Sequence, residues 1–199
     1  MRLGRRLAHR TLVIGVLPTA GLWLLFAPVW AAQPERPRAA VETRDARPTG
    51  RTIAVAAGGN VQTALNAAQP GDVITLEVGA TFRGPFTLPE KTGTGWITVR
   101  TAAPDTGLPP SGTRVTRAHA TAMPNLVAGT GAGAVIQAAP GAHHFRFIGL
   151  EVRPESGAFV YSLMELGSGK ETSEAMLPHD IIVDRCYLHG DPGRGSRRG

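Results

Sequence analysis

Residues 144–152 read HFRFIGLEV and residues 180–188 read DIIVDRCYL, so two similar stretches begin 36 residues apart. In each stretch apolar residues alternate with others, a single residue interrupts the alternation, and the alternation then resumes. The interruption falls at Gly149 in the first copy and at Arg185 in the second. Alternation with a period of two is typical of a half-buried strand. Each copy therefore predicts a strand, a one-residue bend and a second strand, repeated one coil later.

The repeat assigns side chains to two faces of this predicted coil. Matched apolar positions should point inward, where like side chains stack from one coil to the next. The inward pairs are Phe145 with Ile181, Phe147 with Val183, Leu150 with Cys186, and Val152 with Leu188. The outward pairs are His144 with Asp180, Arg146 with Ile182, Glu151 with Tyr187, and Arg153 with His189.

Cys186 is the only cysteine of the chain, so no internal disulfide can form. Because it matches Leu150 on the inward face, we predict a buried and unreactive core thiol.

Further short runs rich in β-branched residues lie on both sides of the repeat, and turn residues separate them. They are residues 73–76, 96–100, 114–116, 135–137, 145–152 and 181–188. No later segment has a clear helical period, and residues 154–178 are predicted to form a loop. Structure is expected to begin at TIAVA, residues 52–56.

A short helix is predicted before the first coil, in the stretch NVQTALNAAQPGDVITL (residues 60–76). Asn60 is a good N-cap, and Val61, Leu65 and Ala68 form one apolar stripe. A helix over residues 61–68 is too short to be stable alone in water, so it must pack on something. We predict that it covers the open end of the stack, as a lid over otherwise unpaired strands.

The ends of the chain differ in composition from its middle. Residues 1–31 have a basic start, a long apolar run and small residues at Val29 and Ala31, which predicts a signal peptide that is cleaved rather than kept as an anchor. Residues 32–51 are predicted to be a disordered linker, and residues 192–199 a truncated tail rich in Gly and Arg. The formal net charge is +6, and four arginines lie in the signal peptide, which leaves +2. With no basic patch interleaved with aromatic residues, nucleic-acid binding is not expected.

The capped helix, the stretch AAQPGDVITLEVGATFRGPFTLP and the HFRFIGLEV coils together resemble the right-handed parallel β-helix proteins of the pectate-lyase-like superfamily. The resemblance covers roughly residues 52–191. It implies an all-β, right-handed parallel β-helix of which only the N-terminal coils are present, with a short lid helix. Such helices usually have more coils, so we expect the N-terminal portion of a longer secreted bacterial protein.

The resemblance also implies a kind of chemistry. Lyases of this superfamily hold calcium with clustered acids and use Arg or Lys as a base, whereas its hydrolases use clustered Asp. The acids of this chain are scattered, and only the last coil combines acid, base, aromatic and imidazole groups. The weak catalytic candidates are Asp184, Arg185, His189 and Asp191. A solvated face with ordinary ion pairs is the favoured alternative, because no family motif matches residue by residue.

Three weaker patterns favour structural roles. Residues 129–134 fit GxGxxA, but no helix follows, so a flexible loop is predicted. His143 and His144 should face opposite ways on a strand, with no third histidine near them, so no metal site is predicted. Trp96 and Phe82 could stack on sugar rings, but Trp96 is predicted to be a core residue because it opens a strand of alternating pattern.

These observations favour an exported, monomeric N-terminal fragment related to polysaccharide binding or cleavage, without an identifiable active site. The alternatives are a non-catalytic surface or binding scaffold and an inactive truncated remnant. If the full-length protein is an enzyme, it is expected to be a polysaccharide lyase or a glycoside hydrolase, with this fragment inactive by itself. No cofactor is identified, and calcium is expected only in a full-length homologue. No membrane span is expected in the mature chain unless the signal peptide stays uncleaved.

Overall fold

The computed structural model describes residues 47–110, 112–194 and 196–198, the last three by their backbone alone. The predicted signal peptide and residues 32–46 of the predicted linker lie outside the described residues. Within the described part, the strands are β1 (Thr52–Val55), β2 (Val73–Leu76), β3 (Thr81–Arg83), β4 (Phe86–Leu88), β5 (Ile97–Thr101), β6 (Asn125–Ala128), β7 (Ala134–Ala138), β8 (His143–Ile148), β9 (Glu151–Pro154), β10 (Val160–Glu165), β11 (His179–Asp184), β12 (Tyr187–Leu188) and β13 (Ser196–Arg198). One α-helix, α1 (Val61–Ala67), and three 3₁₀ turns, at Asp105–Gly107, Arg117–Ala122 and Glu174–Met176, complete the elements of this part. None of its helices has the length and apolar character needed to cross a membrane.

The strands form three parallel sheets, in the orders β1-β2-β5-β8-β11, β3-β6-β9-β12 and β4-β7-β10-β13. Every coil contributes one strand to each sheet, so the described part of the chain winds through four coils, and β1 adds a strand before the first of them. Strands of successive coils pair in parallel in all three sheets. The predicted fold class, a right-handed parallel β-helix with a lid helix, is confirmed.

The register confirms the 36-residue repeat. Phe145 pairs with Ile181 between β8 and β11, and Val152 pairs with Leu188 between β9 and β12. The predicted one-residue bend is present in both coils, where Gly149 has φ 64° and Arg185 has φ 49°. A Cβ atom on Gly149 would lie 2.7 Å from Cδ2 of Leu108, so glycine is favoured there by space as well as by conformation.

The core fills the space between the three sheets with the side chains predicted to point inward. Phe145 and Leu150 are fully buried, and Phe82, considered above as a sugar-stacking residue, is a core residue that is 3% exposed. Val183, also predicted to point inward, is 42% exposed. The reason is its place on β11, the last strand of its sheet in the described part, which has a neighbour on one side alone.

Helix α1 begins at its predicted cap and lies where a lid was predicted. The Asn60 side chain accepts a hydrogen bond from the backbone N–H of Thr63 at 2.9 Å. Val61, Ala64 and Leu65 are buried in the main core cluster. The helix contacts β1 and β4, which are the first strands of their sheets. It thus covers apolar side chains at the N-terminal end of the stack.

The Pro-Gly-Asp turn after α1 is held by the Asp72 carboxylate, which is buried. Its Oδ1 accepts the backbone N–H of Arg51 at 2.8 Å, and its Oδ2 accepts the backbone N–H of Gln69 at 2.9 Å. Burial alone would raise the pKa of Asp72, but these bonds and the Arg51 guanidinium outweigh it and hold that pKa below its usual value. The turn therefore fastens the chain before β1 to the end of the helix.

Two predictions for this part of the chain are wrong. Residues 114–116 form no strand, because they belong to a long connection between β5 and β6 that has no neighbouring strand to pair with. Residues 154–178 are not all loop, since β10 lies inside them and pairs with β7. Strand β13 falls within residues 192–199, the segment that the sequence assigned to a tail, and pairs with β10.

Cys186, predicted to be buried, is half-buried; it packs against the core cluster, and its Sγ donates a hydrogen bond to the Asp184 carbonyl at 3.3 Å. Burial raises the pKa of this thiol to about 12.

Because of this raised pKa, we expect a disulfide reagent to label Cys186 in the native protein about a thousandfold more slowly than in the same protein in denaturant, since the thiolate is the reacting form. Because Cys186 is the only cysteine of the chain, all of the label that is detected is attached to it. Native labelling at the denatured rate would contradict this expectation.

Candidate functional site

The outward side chains of the sheet β3-β6-β9-β12 form two rows that run from coil to coil. The inward row of this sheet holds Phe82, Leu126, Val152 and Leu188, which are in register. The residue before each of these gives the first outward row, Thr81, Asn125, Glu151 and Tyr187; the residue after each gives the second, Arg83, Val127, Arg153 and His189. We call these two rows the outer face.

A groove with a volume of about 420 Å³ lies on the outer face near its last coils. Its polar lining residues are Arg117, Asn125, Glu151, Arg153, Ser156, Tyr187, His189 and Asp191. A second hollow of about 330 Å³ shares Arg153 and Ser156 with it and extends towards Arg83 and Glu155. Together the two hollows follow the stack across neighbouring coils.

The centre of the groove is the Glu151 carboxylate, whose side chain is 13% exposed. Its Oε1 lies 2.8 Å from His189 Nε2 and 3.5 Å from Arg153 Nε. Arg153 Nε also donates to Asn125 Oδ1 at 3.2 Å, and its Nη1 donates to the Pro154 carbonyl at 3.1 Å. These bonds fix the plane of the Arg153 guanidinium. Because a guanidinium carries five N–H donors, several remain for a ligand.

His189 is fixed through both ring nitrogens. Nε2 faces Glu151, and Nδ1 lies 2.9 Å from the Gly190 carbonyl oxygen. Both of these partners are acceptors, and together they hold the imidazole ring in one orientation at the groove. The Tyr187 ring lies 4.5 Å from the imidazole and packs on the small cluster of Leu108, Met123 and Ile148.

Asp191, one of the predicted candidates, lines the groove but is occupied by backbone groups. Hydrogen bonds from the backbone N–H of Gly157, Gly193 and Arg194 lower the pKa of its carboxyl group. Oδ2 accepts from Gly157 at 3.1 Å, and Oδ1 accepts from Gly193 at 2.8 Å. The ionised carboxylate fastens the turn after β12 to the loop after β9.

The other two predicted candidates, Asp184 and Arg185, lie on a different face. Arg185 Nε and Nη2 each lie 3.0 Å from Asp184 Oδ2. Arg185 lines a separate groove of about 630 Å³ on the sheet β1-β2-β5-β8-β11, together with Arg47 and Arg100. The structure thus brings His189 and Asp191 to one groove and Arg185, paired with Asp184, to another.

Six polar residues of the outer-face groove were not among the predicted candidates: Arg117, Asn125, Glu151, Arg153, Ser156 and Tyr187. Three of them have a signal in the sequence, because the 36-residue offset already pairs Glu151 with Tyr187 and Arg153 with His189. Asn125 has none, since its strand β6 was not predicted.

A cluster of aromatic side chains forms at the beginning of β8 and β11, where none was predicted. The expectation that His143 and His144 face opposite ways is wrong, because His144 has φ 58° and its Nδ1 lies 2.7 Å from that of His143. A third histidine is also near, since the ring of His179 stacks on that of His143 at 4.9 Å. Trp96, predicted to be core, is half-buried beside them, with its ring 5.3 Å from His144 and 5.5 Å from the Arg146 guanidinium carbon.

Comparisons with known proteins add a likeness to solved structures alone. No protein-family model matches the chain, and no curated protein matches it. An alginate lyase from Paenibacillus sp. str. FPU-7 is similar with a TM-score of 0.43 and 22% identity, over 68% of this chain and 44% of that one. A variant of AlyGC, a PL6 family alginate lyase, is similar with a TM-score of 0.33 and 18% identity, over 76% of this chain and 22% of that one. This chain therefore matches less than half the length of either protein.

Proposed function

We propose that the outer-face groove binds an acidic polysaccharide, and that the chain is part of an exported β-helix protein that acts on such polymers. The observation that carries the proposal is the network in which Glu151 holds Arg153 and His189 in fixed positions at the groove. The charge, the shape and the rigidity of the groove support this proposal.

The charges of the groove suit a carboxylate ligand. Arg117 and Arg153 are the cations, Glu151 and Asp191 are the anions, and the His189 ring lies among them. Both anions already accept hydrogen bonds from the protein. Arginine binds carboxylates with two parallel N–H donors, which gives direction as well as charge. A uronate carboxylate is the sugar group that such a cation would recognise.

The shape of the groove suits a polymer rather than a compact ligand. Four of its polar residues come from β6, β9 and β12, three neighbouring strands of one sheet: Asn125, Glu151, Arg153 and Tyr187. Neighbouring strands lie about 4.8 Å apart, so the groove offers a new set of contacts at each coil. The Tyr187 ring, held by the small apolar cluster, supplies a flat surface on which a sugar ring can pack.

Binding is the function that the network supports best. His189 and Glu151 are engaged with each other, and Arg153 lies against the same carboxylate, so the network fixes the polar groups that a bound sugar would meet. Cleavage by lyase or hydrolase chemistry, and a calcium site in a full-length homologue, stay predictions from the sequence.

Arg153→Gln is expected to raise the dissociation constant for acidic oligosaccharides by about 10- to 100-fold, because hydrogen bonds to a charged partner contribute about 1.5–3 kcal/mol each. Titration calorimetry of the full chain with alginate and polygalacturonate oligosaccharides measures this. Neutral glucan oligosaccharides should bind much more weakly than either.

Arg114→Gln is the matched control, because Arg114 is an exposed arginine that does not line the groove. Its affinity for the acidic oligosaccharides should equal that of the unaltered chain. Equal binding of neutral and acidic oligosaccharides, or equal loss in the two variants, would show that the groove is not the site. Circular dichroism verifies that both variants keep the fold.

A further inference from the structure

We call His143, His144, His179 and Asp180 the histidine cluster. It lies on the sheet β1-β2-β5-β8-β11, which does not include the strands of the outer face. It is built from equivalent positions of two successive coils. His143 begins β8 and pairs in register with His179, which begins β11. His144 and Asp180 follow them at the next position of each coil. The two coils therefore bring three imidazoles and one carboxylate together.

Two of these residues have an unusual backbone conformation. His144 has φ 58° and Asp180 has φ 50°, whereas residues with a side chain seldom adopt the left-handed region. The conformation brings each side chain close to that of the preceding residue. His143 and His144 have ring centroids 4.8 Å apart, and His179 Nδ1 lies 2.8 Å from Asp180 Oδ2. The same strained arrangement in two adjacent coils gathers side chains that an ordinary strand would separate.

The distances within the cluster match the requirements of a small divalent cation. His144, His179 and Asp180 each offer one ligand atom, and these atoms lie within 4.8 Å of one another. Asp180 Oδ2 is 2.8 Å from His179 Nδ1 and 3.9 Å from His144 Nδ1. Zinc binds nitrogen and carboxylate oxygen at about 2.0–2.2 Å, so two ligands of one tetrahedral ion lie about 3.4 Å apart. Small side-chain rotations would bring all three atoms to that spacing.

We propose that His144, His179 and Asp180 form a binding site for a zinc-type divalent cation. Two imidazole nitrogens and one carboxylate oxygen are a donor set that zinc takes in proteins, with a fourth position left for water. The site is accessible to an ion, because the side chains of His179 and Asp180 are 54% and 44% exposed. The His144 side chain is 17% exposed and anchors the inner side of the site.

His143 has a supporting place beside the three ligands. Its ring stacks on His179, with an angle of 13° between the planes, and makes an edge contact with His144 at 81°. Neighbours that fix the ring of a ligating histidine help to set metal affinity. His143 thus orients both imidazole ligands.

Zinc binding to the untagged full chain, freed of metal by chelator and dialysis, tests the proposal. Competition calorimetry with zinc chloride is expected to show one ion per chain. Asp180→Asn and His144→Asn are the preferred variants, because asparagine tolerates the left-handed conformation that both positions require. Each of these variants, and His179→Ala, should raise the zinc dissociation constant at least about 10-fold.

Two control variants separate this site from other sources of binding. His119→Ala removes an imidazole from the connection between β5 and β6 and should leave zinc affinity unchanged. Arg153→Gln should likewise leave it unchanged, so the result does not depend on the proposed polysaccharide groove. With cobalt in place of zinc, an absorption spectrum of tetrahedral intensity should appear and be lost in Asp180→Asn. Absence of saturable zinc binding, or equal binding by the three ligand variants and the unaltered chain, would overturn the proposal.

Discussion

Replacing Phe145 by alanine is expected to lower the free energy of unfolding by about 3–5 kcal/mol, the range for large-to-small changes of an aromatic residue in a core. Phe145 is fully buried on β8, the fourth strand of its sheet. It pairs in register with Ile97 on one side and Ile181 on the other. Its removal would leave a cavity between two coils that the strands cannot close, because their spacing is fixed by backbone hydrogen bonds. Urea unfolding followed by circular dichroism measures the change.

Phe159→Ala is the matched control for this prediction. Phe159 is half-buried in the loop before β10 and contacts the exposed Tyr161 ring at 5.5 Å. Its removal should cost about 1 kcal/mol or less, since a side chain in contact with water leaves no closed cavity. If Phe145→Ala and Phe159→Ala lowered the free energy of unfolding by similar amounts, the core would not be packed around β8.

Asp72→Ala should lower the free energy of unfolding by about 2–3 kcal/mol near neutral pH, because it removes a buried charged acceptor of hydrogen bonds. The backbone N–H groups of Arg51 and Gln69 would lose that acceptor. The folded-state pKa of Asp72 lies below its usual value of 3.8. Its contribution is therefore fully present above that value and is lost as the pH falls through the folded-state pKa.

The same measurement at two pH values checks the sign. The difference in stability between the unaltered chain and Asp72→Ala should be largest near neutral pH and should shrink below pH 3.8. Glu77→Ala is the control, because Glu77 accepts the backbone N–H of Ala57 at 2.7 Å in an exposed position. It should cost about 1 kcal/mol or less. An Asp72 effect that is independent of pH would refute an ionised acceptor.

Parts of the fold could be predicted because neighbouring coils have similar surroundings. Strands β8 and β11 lie at the same height of successive coils, so the same alternation appears in both sequences. Strand β10 could not be predicted in this way. Its stretch VYSLME has Leu163 and Met164 side by side, which breaks the alternation. It is a strand because it pairs with β7. Pairing between segments that are far apart in the chain cannot be recognised from a short stretch of sequence.

The candidate site was predictable to a smaller extent, because its geometry depends on contacts across coils. The sequence already aligned Arg153 with His189, but the contact of Arg153 with Asn125 spans a long connection of irregular length. The histidine cluster was not predicted, for a different reason. The prediction assumed that neighbouring side chains of a strand point to opposite sides of the sheet. His144 has a left-handed backbone conformation instead, and because it is not a glycine the sequence gives no sign of that conformation.

The corner between β8 and β9 couples two positions that are far apart in sequence. Leu108, in the long connection between β5 and β6, occupies the space into which a side chain at position 149 would extend. The connection of one coil thus restricts which amino acid the next coil can carry. A side chain at 149 would require both a shift or shortening of Leu108 and the left-handed backbone conformation. Arg185 shows that the equivalent corner of the following coil admits a side chain in that conformation, where it pairs with Asp184.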